Sequence, residues 1–94
     1  MNYILSYDIS NNKTRNFISG LLIDSGFIRV QRSVFIGEIS NIKINNILKL
    51  INTRLELDKD SLLCMPINKE EYSKGYKCGN FSNYNIYEKN IVYM

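Results

Sequence analysis

The chain of 94 residues contains no histidine. Ser–His and Cys–His relays, which need an imidazole to take the nucleophile's proton, are therefore excluded. A typical zinc site is nearly excluded as well. No glycine-rich phosphate loop is present. Cysteine occurs only at Cys64 and Cys78. Their spacing matches no zinc or redox motif, which favours reduced, structural thiols. No apolar run approaches the roughly 18 residues of a membrane span. The opening residues Met1 to Leu5 lack the basic region and cleavage site of a signal peptide, so a cytoplasmic protein with no membrane partner is expected. Any catalytic base must be a carboxylate, a lysine, a tyrosine or metal-bound water.

What remains is ordinary in bulk. Apolar residues make up 45% of the chain and charged residues 22%, close to globular values. The length suits one domain. A domain this small buries only about 60–65% of its unfolded surface, so dimerisation would add useful stability. The net charge is +3 but unevenly placed. Residues 1–54 hold seven basic and three acidic side chains, against five and six in residues 55–94. A basic first half favours a polyanionic partner, or is simply a solvated surface.

The order of elements is legible. Tyr3 to Asp8 reads as a strand of aromatic and branched residues. Ser10, Asn11 and Asn12 then offer helix N-caps. A helix follows from about Lys13 to Ser25, with Phe17, Ile18, Leu21 and Leu22 on one face and Gly26 as its stop. Phe27 to Ile39 is a double extended segment, with Arg32-Ser33 as its tight connection. A second helix starts after Ser40, its stripe formed by Ile44, Ile47, Leu48, Ile51 and Leu55. The polar run Glu56 to Asp60 ends it. Ser61 to Met65 is a short strand that Pro66 stops or places at an edge. This β-α-β-β-α-β order predicts an α+β, ferredoxin-like sandwich, with a core of residues 1–67. The tyrosine-rich tail, residues 68–94, is expected to supply a strand near Ile86 to Tyr93. That strand would be added at the sheet edge or exchanged across a dimer. The fold hosts many functions and cannot decide among them.

Asp8 ends the first strand just ahead of a helix N-terminus. Two readings stay open: a structural carboxylate stabilised by helix amides, or an oxygen ligand for a hard cation such as Mg²⁺. Two-fold symmetry would bring two copies of it together. Arg15, Arg29 and Arg32 suit phosphate because the guanidinium donates in parallel, or are merely exposed.

Together, Tyr7-Asp8-Ile9-Ser10 followed by Lys13 and Arg15 resembles the opening of the Cas two family. The stretch Gly26 to Glu38 is similar to that family's second signature, and Leu63 to Ile67 fits its last core strand. The resemblance covers roughly residues 1–67. It implies a ferredoxin-like homodimer with Asp8 as the metal-associated carboxylate near the two-fold axis. It implies Mg²⁺, or Mn²⁺ in its place, and endonuclease activity on RNA or DNA. It also implies a role in CRISPR spacer acquisition, in which the dimer binds DNA and bridges the integrase. Arg15, Arg29 and Arg32 match basic family positions, while Ser33 and Phe35, with Tyr7, match the motif around Asp8. On this resemblance Asp8 and Ser33 are the catalytic candidates, and the three arginines the nucleic-acid contacts. One departure stands out: Asn11 and Asn12 occupy positions where members often carry a second acid, and asparagine brings no negative charge to a metal. Three other readings stay open. One is a stand-alone endoribonuclease like the virulence-associated D toxins, another a non-catalytic DNA-binding scaffold, and the third a small-molecule regulatory module of the same fold.

Overall fold

The computed structural model describes residues 1–79 and the strand residues Ile91 and Val92. Four strands and two long helices follow the expected order: β1 (Asn2–Asp8), α1 (Asn12–Asp24), β2 (Ile28–Gln31), β3 (Val34–Glu38), α2 (Asn41–Asn52) and β4 (Ser61–Pro66). The sheet order is β2-β3-β1-β4, every neighbouring pair antiparallel. β1 is therefore internal, and β4, which carries Pro66, lies at an edge. Proline brings no N–H to the ladder, so it suits an edge strand, whose outer side has no partner strand.

Each long helix begins and ends where local chemistry dictates. The Asn11 side chain accepts the Thr14 amide at 3.1 Å and caps α1. At its other end, Gly26 takes φ +95°, which glycine adopts without a Cβ penalty. Gly26 and Phe27 then donate their amides to the Ile23 and Leu22 carbonyls at 3.0 and 2.9 Å. This pattern satisfies the last carbonyls and turns Phe27 back onto Leu22, both in the core. Ser40 caps α2 by accepting the Lys43 amide at 3.2 Å. That helix stops at Asn52, so Leu55 completes the apolar stripe from the following loop rather than from the helix.

Alternation along β1 divides the molecule. Tyr3, Leu5 and Tyr7 face the helices and pack with Phe35, Ile18, Leu22, Ile44 and Ile51. Ile4, Ser6 and Asp8 fall on the opposite face. There Val30 and Ile36 form a second, smaller cluster with Tyr72. Tyr72 comes from α3 (Lys69–Lys74), a short helix the sequence reading passed over. It is closed by a reciprocal pair: Asn68 accepts the Glu71 amide at 2.7 Å while the Glu71 carboxylate accepts the Asn68 amide at 3.3 Å. Lys77 is buried beside it and donates to the Tyr72 carbonyl at 3.1 Å. Of the tail strand expected at Ile86 to Tyr93, only Ile91 and Val92 lie within the described residues. They form β6, which pairs in parallel with β5 (Lys77–Cys78) of the same chain. Among the described residues no helix is long and apolar enough to cross a membrane.

Two outcomes follow from this packing. A methyl group on Gly37 would lie 2.7 Å from the buried Phe27 ring. Gly37→Ala is therefore expected to destabilise the fold by about 1–3 kcal/mol, read by chemical denaturation. Cys64 lies opposite Leu5 in β4, half-buried against the core, and burial pushes its thiol pKa up. At a given pH it then holds less reactive thiolate than it would in the unfolded chain. A thiol reagent at pH 8 should modify exposed Cys78 first, and the two rates should converge in denaturant.

Candidate active site

The C-terminal end of β1, the start of α1 and the β2–β3 turn meet at one end of the sheet. Between them lies a polar cleft of about 530 Å³. Its walls include Asp8, Arg15, Arg29, Arg32 and Ser33, with Tyr7 at its base. The cleft-lining residues singled out in the sequence thus converge, although they span 27 positions of the chain from Tyr7 to Ser33. Phe35, the last of the set, is fully buried beneath.

Each residue is held by its own element. Asp8 is the last residue of β1, paired with Ser61 of β4, and its carboxylate is exposed. Ser33 sits in the turn, and its carbonyl accepts the Tyr7 amide at 3.1 Å, which ties the turn to the end of β1. A bulge between Arg29 and Gln31 puts an extra residue into β2 just before that turn, a device that re-aims side chains at strand ends. The Tyr7 and Phe35 rings stack with centroids 6.1 Å apart, and the Arg29 guanidinium lies 5.0 Å above Phe35. Arg29 is thereby supported from below by an aromatic face. Arg32 is exposed at the turn.

Arg15 differs from the other two arginines. Its guanidinium donates to the carbonyls of Ile9 and Ser10 at 2.7 and 2.9 Å, and to the Asn12 side chain at 3.0 Å. It is turned toward the protein's own loop.

Further residues line the cleft that the sequence did not assign to a site. Asn12, Asn16 and Ser19 sit three or four positions apart along α1 and present a polar face to the cleft. Helical spacing was the one signal available for them. Asp60 was passed over too: it is buried and reaches the same loop by accepting the Ser10 amide at 3.4 Å. Nothing local in the sequence links residues 10 and 60.

The described residues contain no group of three acidic, cysteine or histidine side chains that would hold a metal by themselves. Mg²⁺ does not require one. It is usually held by one or two carboxylates, with phosphate and water completing the shell. Asp8 fits that donor set as a single exposed carboxylate beside a cleft lined by three arginines. The remaining nearby acid, Asp60, has both oxygens occupied by backbone amides.

Loss of the Asn11 cap would loosen the helix that carries Arg15. Asn11→Ala is expected to cost about 1 kcal/mol, measurable by thermal or urea unfolding.

The family model described as CRISPR associated protein Cas2 matches residues 1–75. Among curated proteins, a CRISPR-associated endoribonuclease Cas2 of Francisella tularensis subsp. novicida is 35% identical over 90% of this chain and 91% of its own. A protein of the same name from Pyrobaculum aerophilum is 30% identical, over 84% of this chain and 81% of its own. Two crystal structures share the fold. A hypothetical protein from Thermus thermophilus superposes with a TM-score of 0.65 at 28% identity, covering 71% of this chain and 80% of that one. Streptococcus pyogenes Cas2 superposes with a TM-score of 0.67 at 23% identity, covering 73% and 88%.

Proposed function

The chain belongs to the CRISPR-associated protein Cas2 family, and on that premise we propose that it works in CRISPR spacer acquisition as a dimer that binds DNA, bridges the integrase and carries a Mg²⁺-dependent endonuclease centre at Asp8. The observation that carries this reading is the convergence of Asp8, Ser33, Arg29 and Arg32 on one cleft. Both curated relatives are named endoribonucleases, which favours RNA as the strand cut.

The placement of these side chains supports a role for each. Arg29 and Arg32 grip the phosphates of the bound strand, with forked donors that match phosphate oxygens. Stacking on Phe35 keeps Arg29 from swinging away. Asp8 stands at the end of a strand hydrogen-bonded on both sides, so its carboxylate is presented from a rigid base. The Ser33 hydroxyl orients the attacking water or a phosphate oxygen. Mg²⁺ bound at Asp8, or Mn²⁺ in its place, would supply water activation and offset the charge growing on the phosphate. A second copy covers the open sheet face, where Leu63 and Met65 are 58% and 50% exposed. Two-fold symmetry then brings the two Asp8 side chains to either side of a shared axis.

In a cleavage assay with single-stranded RNA and duplex DNA, with and without Mg²⁺, the wild type is expected to cut RNA only with metal. Asp8→Asn should lower that rate by about 10²–10³-fold and leave DNA affinity intact. Arg29→Glu with Arg32→Glu should weaken DNA binding and flatten its salt dependence through lost counterion release. Equal rates for wild type and Asp8→Asn would remove Asp8 from the centre. An affinity that does not change with salt would remove the DNA contact.

A further inference from the structure

The loop that leaves Asp8 is held at one peptide unit by two side chains of opposite charge. Arg15 Nη1 donates to the Ile9 carbonyl at 2.7 Å and the Ser10 carbonyl at 2.9 Å. The Ser10 amide donates the other way, to Asp60 Oδ1 at 3.4 Å. Ser10 thus has its oxygen on a guanidinium and its nitrogen on a carboxylate.

Asp60 is only 7% exposed, and a buried carboxylate is costly unless hydrogen-bonded. Its second oxygen accepts the Glu56 amide at 2.9 Å, while its own amide returns to the Glu56 carbonyl at 2.7 Å. That closes the α2–β4 loop into a rigid platform. Asp60 also immediately precedes Ser61, the residue that pairs with Asp8 across the sheet. Between the clamp and Asp8 lies Ile9, buried in the core at 4% exposure. The backbone on the C-terminal side of Asp8 is therefore fixed by burial, by a cation and by an anion in two consecutive residues.

We infer that Arg15 and Asp60 are positioning residues: by clamping the Ser10 peptide from both sides they hold the direction of the Asp8 carboxylate, and Arg15 serves this loop rather than a substrate phosphate. The geometry supports this over a phosphate role because three donor contacts of the guanidinium already go to Ile9, Ser10 and Asn12. The inference rests on Asp8 being the functional carboxylate, and two readouts keep the two claims separable.

The first is hydrogen exchange on the full chain, compared among wild type, Arg15→Met and Asp60→Asn. Within the segment 9–12 the Ser10 amide should exchange about ten- to a hundredfold faster in each variant, as expected when hydrogen bonds to charged groups are lost. Exchange in β3 and α2 should stay at the wild-type rate. Unchanged exchange in 9–12, or equal acceleration throughout the chain, would overturn the clamp. Arg15→Met is partly solvent-facing and decides the matter if Asp60→Asn fails to fold.

The second readout is RNA cleavage. Both variants should lower kcat by about tenfold to 10²-fold through misplacement of Asp8. KM and the salt slope of binding should stay unchanged. Arg15→Lys, which keeps the charge but loses the fork, should fail to restore kcat. A salt slope reduced by about 0.7 in Arg15→Met, as for one lost single-strand phosphate contact, or full recovery in Arg15→Lys, would overturn the assignment of Arg15. A wild type that does not cleave RNA would refute the proposed activity, and hydrogen exchange would still decide the clamp.

Discussion

β1 is hydrogen-bonded along both edges, to β3 on one side and β4 on the other, and the rest of the molecule is arranged around that pairing. Because side chains alternate along a strand, commitment of Tyr3, Leu5 and Tyr7 to the helix side forces Ser6 and Asp8 to the other. A slip of one residue would bury the carboxylate and expose the tyrosines, so the apolar core locks the register that presents Asp8. The same pairing brings Ser33 to the end of β1, since the Tyr7 amide reaches across to the Ser33 carbonyl. Core packing and cleft geometry are thus consequences of one strand's register.

Charge in this end of the molecule is used in two different ways. Arg29 and Arg32 are exposed at the cleft rim, and the Arg29 guanidinium lies over the Phe35 ring. Arg15 and Asp60 instead act on backbone groups, where charge-assisted hydrogen bonds are about twice as strong as neutral ones. The open sheet face is divided in a comparable way. Tyr72 covers Val30 and Ile36, while Leu63 and Met65 on edge strand β4 stay exposed.

Much of this was legible in the chain itself. The N-caps Asn11 and Ser40, the stop at Gly26, the turn at Arg32-Ser33 and the edge position of Pro66 are local preferences, and each appears where its chemistry placed it. The family resemblance carried the gathering of Asp8, the arginines and Ser33, which spacing alone did not bring together. The helix at Lys69–Lys74 carries a local signal in the Asn68 and Glu71 capping box, but six residues are too few to display an apolar helical period. Arg15 shows another limit: an arginine suited to phosphate is equally suited to backbone carbonyls, and only three-dimensional position shows its guanidinium on the Ile9 and Ser10 carbonyls.

By itself the sequence determined the order and type of the core elements and the two apolar stripes. These depend on periodicity and on neighbours a few residues apart, which a linear chain displays. Only the tertiary structure decided that Asp60 reaches Ser10, that Arg29 rests on Phe35 and that α3 lays Tyr72 over the sheet. Those contacts join residues brought close by strand pairing, and their energy exists only once loop closure has placed the partners together.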